Sequence, residues 1–223
     1  MKVTVGHAIA AFLERCGVRA AFGVISIHNM PILDAMAERK AIRFVPARGE
    51  AGATNMADAC ARTTGTLGVC LTSTGTAAGN AAGAMVEALT AGTALLHITG
   101  QIEVPYLDRD LAYIHEAPDQ LTMLRAVSKE AWRVRSAETA LATFKQAVQA
   151  ALTAPSGPVS VEVPIDIQSA LIDMPADLEP LPVVAVQPIR APSTRWPTSW
   201  PARGARCCGW VGALAARVRP SPA

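Results

Sequence analysis

Glu50 has the setting that most invites chemistry. It stands in VPARGEAGATNMADACARTTG, residues 45 to 65, where an apolar run of β character meets a helix of small residues. A carboxylate at such a junction either complements the positive end of a helix or is presented to a ligand at the carboxyl end of a strand. Histidines are the other side chains able to move protons near neutral pH. His115 and Glu116 are adjacent in a loop, where a solvent-facing histidine is one reading. His97 lies inside the apolar run ALLHITGQ and reads as core, whereas His28 lies in a loop and stays undecided. Neither G-x-G-x-x-G nor G-x-x-x-x-G-K-[ST] occurs, which argues against a dinucleotide or P-loop site. Gly75, Gly79 and Gly83 recur every four residues and read as one helix face packed closely on a sheet.

The elements that must position these residues follow from hydrophobic periodicity. Strands are expected over 20–24, 42–47, 67–73, 94–101, 132–136 and 158–166, and helices over 5–17, 30–40, 49–65, 76–92, 118–127 and 138–155. Continuous apolar strands alternating with helices predict a doubly wound α/β fold: a mainly parallel six-stranded sheet with helices on both faces. Ligands of such sheets bind outside the carboxyl ends of the strands. That rule selects residues 25–29, 48–50, 72–80 and 100–101, and the loop around His115.

Composition sets the boundaries. The 223 residues are 51% hydrophobic and 17% charged, which excludes disorder of the whole chain and allows one α/β domain with an appendage or two small domains. Cys16, Cys60, Cys70, Cys207 and Cys208 show neither C-x-x-C nor metal-ligand spacing, so reduced thiols and a cytoplasmic location are expected. No apolar run is long enough to span a membrane, and no signal peptide is read at the N-terminus. All 18 acidic residues fall within 1–179, while 180–223 hold six Arg and no acid. The six Arg have no helical or repeat spacing, so a nucleic-acid-binding arm is not favoured.

The block R-G-E-A-G-A-x-x-M-A-D-A-x-A-R-x-x-G around Glu50 closely resembles R-H-E-Q-G-A-x-x-M-A-D-G-Y-A-R-x-x-G of thiamine-diphosphate enzymes of the acetolactate synthase, benzoylformate decarboxylase and pyruvate decarboxylase group. Four further blocks agree in order: FGV (22–24) with NMPILDAM (29–36), GTAAGN (75–80), ITGQ (98–101) and GPVSVEVPID (157–166). The resemblance is to the family's amino-terminal, pyrimidine-binding domain. It implies that Glu50 hydrogen-bonds a ring nitrogen of the cofactor's aminopyrimidine and favours its imino form, which generates the nucleophilic carbon that attacks a 2-oxo acid. It further implies cofactor contacts from Ile25, Ser26, Ser73, Gly75, Thr76, Asn80 and Gln101, with His115 and Glu116 as a second proton-transfer group. Departures are visible. Ile25-Ser26 replaces the common Pro-Gly, Ile27 stands where decarboxylating relatives carry Asp or Ser, and Ser73 falls near an active-site His of benzoylformate decarboxylase.

The expected organisation is a pyrimidine-binding domain over 1–175, a linker over 176–194 and a tail over 195–223. Relatives bind Mg²⁺ and the diphosphate through a G-D-G motif in a third domain, and none occurs here. The resemblance therefore implies half of a shared site: a truncated lyase or transferase, inactive alone, whose full-length form is a homodimer or homotetramer. FAD, used by some relatives, would belong to an absent middle domain. The alternative is a non-catalytic module that dimerises or pairs with a separate diphosphate-binding subunit. The tail, rich in Arg, Pro and Trp, reads as the product of a frameshift near residue 194: with plausible codons, ARCCGWVGA shifted by two bases becomes ALLWLGGG, like the start of the family's middle domain.

Overall fold

The structure is a computed structural model and describes residues 1–183. The expected frameshifted tail and the end of the expected linker lie outside these residues. Six strands form one parallel sheet: β2 (Ala20–Gly23), β3 (Arg43–Pro46), β4 (Gly68–Thr72), β5 (Leu95–Gln101), β6 (Glu130–Arg133) and β7 (Pro158–Pro164). Their spatial order is β3-β2-β4-β5-β7-β6, and every neighbouring pair is parallel. Strands β4, β5 and β7 are buried at every position. Their largely apolar sequence is what a sheet covered on both faces requires.

Helices α1 (Val5–Arg15), α2 (Met30–Arg39) and α6 (Ala137–Leu152) share one apolar core with the sheet, built around Phe12, Leu13, Ile32, Met36, Phe144 and Val161. Helices α3 (Glu50–Thr64), α4 (Thr76–Ala91) and α5 (Gln120–Val127) bury separate clusters, Ala53, Ala57, Met85 and Leu95 in one, Ala78, Leu121 and Leu124 in the other. The starts of α1 and α6 are fixed by Thr4 and Ser136, whose side chains accept from the backbone N–H of His7 and Thr139. Helices α3 and α4 end at Gly65 and Gly92, the glycine stops expected from sequence. A short helix, α7 (Ile165–Ser169), follows β7.

Three features depart from the expectation. The strand placed at 132–136 runs over Glu130–Arg133, because its apolar content lies in Ala131 and Trp132. A separate two-stranded antiparallel ribbon joins β1 (Lys2–Thr4) to β8 (Leu171–Asp173), elements too short to show any period. Gly79 and Gly83 are not packed on the sheet. Both lie on the exposed side of α4: a Cβ on Gly83 would meet nothing within 4 Å, and one on Gly79 only Met123 Sδ at 4.0 Å. The closely packed face belongs to Ala77, Ala78, Ala81, Ala84 and Ala88.

Candidate functional site

Chain order reverses between β2 and β4. The loop after β2 leads outward to β3, while the chain after β3 returns past β2 to form β4. Loops diverging at such a point leave a crevice at the strands' carboxyl ends. A cavity of about 300 Å³ opens there, lined by Val24, Ile25, Ser26, Ile27 and His28 after β2, Glu50 after β3, Ser73, Thr76 and Ala77 after β4, and His115. Two wider surface grooves, about 540 and 710 Å³, run along the β1–β8 ribbon, the second reaching Ile27 after β2 and Ile165 after β7. The smaller cavity carries the concentration of polar groups.

Glu50 opens α3, with Gly49 extended before it, so its carboxylate stands in the first turn, where the helix dipole favours an anion. Half-buried, it accepts from Asn80 Nδ2 at 3.2 Å on Oε2. The carboxylate thus complements the helix start and also lines the cavity. His28 Nδ1 lies 3.2 Å from Ser73 Oγ, which also accepts from Ser26 Oγ at 2.6 Å. His115 is exposed; its Nδ1 lies 3.4 Å from Thr76 Oγ1. Ile25 and Ile27 are 60% and 61% exposed and give the rim an apolar character.

Gly75 and the His115 loop fit each other closely. Gly75 has φ +56°, and a Cβ there would overlap the carbonyl of His115. His115 itself has φ +62°, and Asp108, Asp110 and Ala112 in the same loop are also left-handed. Such backbones occur infrequently outside glycine and cluster where a loop is held for use. Four expected site residues do not line the cavity: Gly75 is buried in the turn after β4, Asn80 is exposed and bonds Glu50, and Glu116 and Gln101 are turned to other partners. Glu116 accepts from its own loop, from Tyr113 N–H at 2.8 Å, and does not line the cavity. Gln101 is buried below the cavity floor, where its Oε1 accepts from Thr74 Oγ1 at 2.8 Å.

With this geometry in view, residues 3–123 match the family described as thiamine pyrophosphate enzyme, N-terminal TPP binding domain. The chain belongs to this family. It is 35% identical over 173 residues to glyoxylate carboligase of Escherichia coli O157:H7, covering 77% of this chain and 29% of that protein. It is 34% identical over 162 residues to 2-hydroxyacyl-CoA lyase 2 of Homo sapiens, 73% and 25% of the two chains. The probable acetolactate synthase large subunit of Methanocaldococcus jannaschii is 28% identical over 188 residues, 84% and 31% of the two. The chain thus spans less than a third of the length of these relatives.

Beneath the cavity, this TPP-binding domain carries a buried polar network that the sequence reading did not find. Glu162 on β7 has no exposed surface; burial pushes its carboxyl up, against Arg133, Gln120 and Gln101, which draw it down. Arg133 pairs with Glu162 through Nε and with Asp108 through NH1 at 2.7 and 2.8 Å. Gln120 Nε2 donates to Glu162 at 3.0 Å, while its Oε1 accepts from Thr74 Oγ1 at 3.0 Å and Gly75 N–H at 2.5 Å. A carboxylate inside a sheet therefore fixes the amide that fixes the turn after β4. The available signal was a lone acid within the apolar run PVSVEVP, readable only with its partners in place. His97 is core, as expected: its ring meets Thr72 Oγ1 at 2.9 Å and Ser160 Oγ at 3.1 Å, and burial lowers its pKa to about 4. Among the described residues, no helix is long and apolar enough to cross a membrane.

Proposed function

We propose that this chain is the pyrimidine-binding half of a thiamine-diphosphate site that acts on a 2-oxo acid, by carboligation as in acetolactate synthase or by decarboxylation. The observation that carries the reading is Glu50: a carboxylate at a strand's carboxyl end, steadied by Asn80 and lining a small cavity at the reversal of the sheet. The donor set fits the aminopyrimidine end of the cofactor. Glu50 supplies the acceptor that a protonated ring nitrogen needs, and Val24, Ile25 and Ala77 supply apolar walls for a flat heterocycle. When bound, thiamine diphosphate supplies a nucleophilic carbon that also serves as an electron sink. This chain's residues then have three tasks: Glu50 holds the proton state of the pyrimidine, Asn80 and Thr76 orient it, and His115 exchanges protons at the cavity mouth.

Mg²⁺ and the diphosphate would be held by a separate domain, and FAD, where used, by another. Residues 1–175 are proposed as the binding domain, 176–194 as a linker and 195–223 as a frameshifted segment, for which the genomic sequence downstream of codon 194 is the test. The full-length form is proposed to be a cytoplasmic homodimer or homotetramer, since the site needs a second domain. A purified chain given thiamine diphosphate, Mg²⁺ and pyruvate is expected to show no turnover; sustained turnover would refute the half-site reading. A second reading, a non-catalytic module that dimerises or pairs with a diphosphate-binding subunit, draws on the exposed face of α4, where Gly83, Val86 and Leu89 face outward. Sedimentation analysis of the chain alone tests it.

A further inference from the structure

We propose that His28 is a neutral hydrogen-bond donor built into the Glu50 cavity, its Nε2–H offered to an oxygen of the small-molecule substrate by a closed ring of hydroxyls from Ser26 and Ser73. Hydrogen-bond direction assigns the tautomer. Ser26 Oγ accepts from the His28 main-chain N–H at 3.3 Å and gives its single proton to Ser73 Oγ at 2.6 Å. Ser73 Oγ accepts that proton, and the one remaining partner for its own among the described residues is His28 Nδ1 at 3.2 Å. A neutral imidazole whose Nδ1 accepts must carry its proton on Nε2. Nε2 has no partner among the described residues and is not among the enclosed unpartnered atoms, although the residue as a whole is only 3% exposed. What remains accessible of this buried ring faces the cavity that His28 lines with Glu50.

The surroundings keep the ring neutral and still. Burial lowers the His28 pKa, His115 lowers it further with ring centroids 6.2 Å apart, and Glu103 opposes both. The main chain is tied at several points: Gln168 Nε2 donates to the His28 carbonyl at 2.7 Å, Asn29 Oδ1 accepts from Ser26 N–H at 3.0 Å, and Asn29 Nδ2 donates to Val24 O at 2.9 Å. Gly100 on β5 presses against the same residue, since a Cβ there would overlap the His28 carbonyl and Cβ. These contacts hold the ring and its loop in one position.

The cavity then offers one acceptor, Glu50, and one oriented donor, His28, between apolar walls. Glu50 suits the nitrogen heterocycle of the proposed function, on which this inference rests for its ligand. His28 suits a carbonyl or carboxylate oxygen of the acid that reacts there. Loss of such a donor weakens binding of a charged acceptor roughly ten- to a hundredfold.

Histidine-selective ¹⁵N NMR on the full chain at pH 7 is expected to show His28 as the Nε2–H tautomer, and Ser73→Ala to abolish that bias; Ser26→Ala breaks the same ring elsewhere should Ser73→Ala not fold. A wild-type His28 that is charged or Nδ1-protonated overturns the proposal. Pyruvate is the probe for the ligand: a saturable shift of His28 Nε2 is expected, with affinity reduced roughly ten- to a hundredfold in His28→Phe. Pyruvate that fails to bind the wild type, or binds His28→Phe equally well, overturns the assignment. A parallel thiamine titration, followed at residues 49–52 and 76–80, separates the two ideas: its failure counts against the cofactor reading and leaves the His28 result standing.

Discussion

A carboxylate that opens a helix and lines a cavity is stabilised twice, once by the dipole and once by whatever it binds. Replacing Glu50 with Gln keeps the shape and removes the charge. A hydrogen bond to a charged group contributes about 1.5–3 kcal/mol, so Glu50→Gln should weaken thiamine binding roughly tenfold or more while thermal unfolding shifts little, measured by titration and by scanning calorimetry. Glu50 was legible in the sequence because its block is contiguous and its neighbours are distinctive. His28 was not, because its setting depends on Ser73, 45 residues away and on a different strand end. Gln101 shows the reverse: a polar residue at a strand's carboxyl terminus reads as ligand-facing, yet its side chain is buried and its Oε1 accepts from Thr74 Oγ1 and Ile102 N–H.

At the scale of elements, the turn after β4 and the loop carrying His115 form one unit. Gly75→Ala should push that loop outward because the added Cβ overlaps the His115 carbonyl. The change should be visible as loss of hydrogen-exchange protection around Glu116 N–H, whose bond to Tyr113 O spans 2.8 Å. The Arg133–Glu162 pair anchors the same unit from below. Removing one partner of a buried pair costs about 3–5 kcal/mol, so Arg133→Met should lower the unfolding free energy extrapolated from urea titration by about that much, and Glu162 should then take up a proton. His97 makes a pH-dependent contribution. Its folded pKa near 4 lies below the ordinary 6.5, so the native state binds fewer protons than the unfolded chain. Its contribution is complete above pH 6.5 and is lost as pH falls toward 4, on the order of 3 kcal/mol in all. Urea unfolding at pH 7 and pH 4.5 should show a smaller drop in His97→Gln than in the wild type.

Continuous apolar strands and glycine stops made the six-stranded sheet readable, since burial on both faces leaves the same mark on every central strand. The β1–β8 ribbon left none: three residues per strand hold no period, and the pairing spans nearly the whole domain. Glycine spacing misled for α4, because a four-residue repeat defines a helix face without saying which way it points.

For the molecule as a whole, the governing fact is that the chain spans less than a third of relatives such as glyoxylate carboligase and 2-hydroxyacyl-CoA lyase 2. On the proposed half-site reading, the chain alone would bind the cofactor weakly, because the diphosphate would lack its metal and its partners. The most direct test is a titration of the purified chain with thiamine, followed by amide resonances at residues 49–52 and 76–80 and repeated with Glu50→Ala. Saturable shifts at both segments in the wild type, lost in the variant, are the predicted result. Shifts that persist without the Glu50 carboxylate, or their absence from the wild type, would contradict a pyrimidine site at the end of β3.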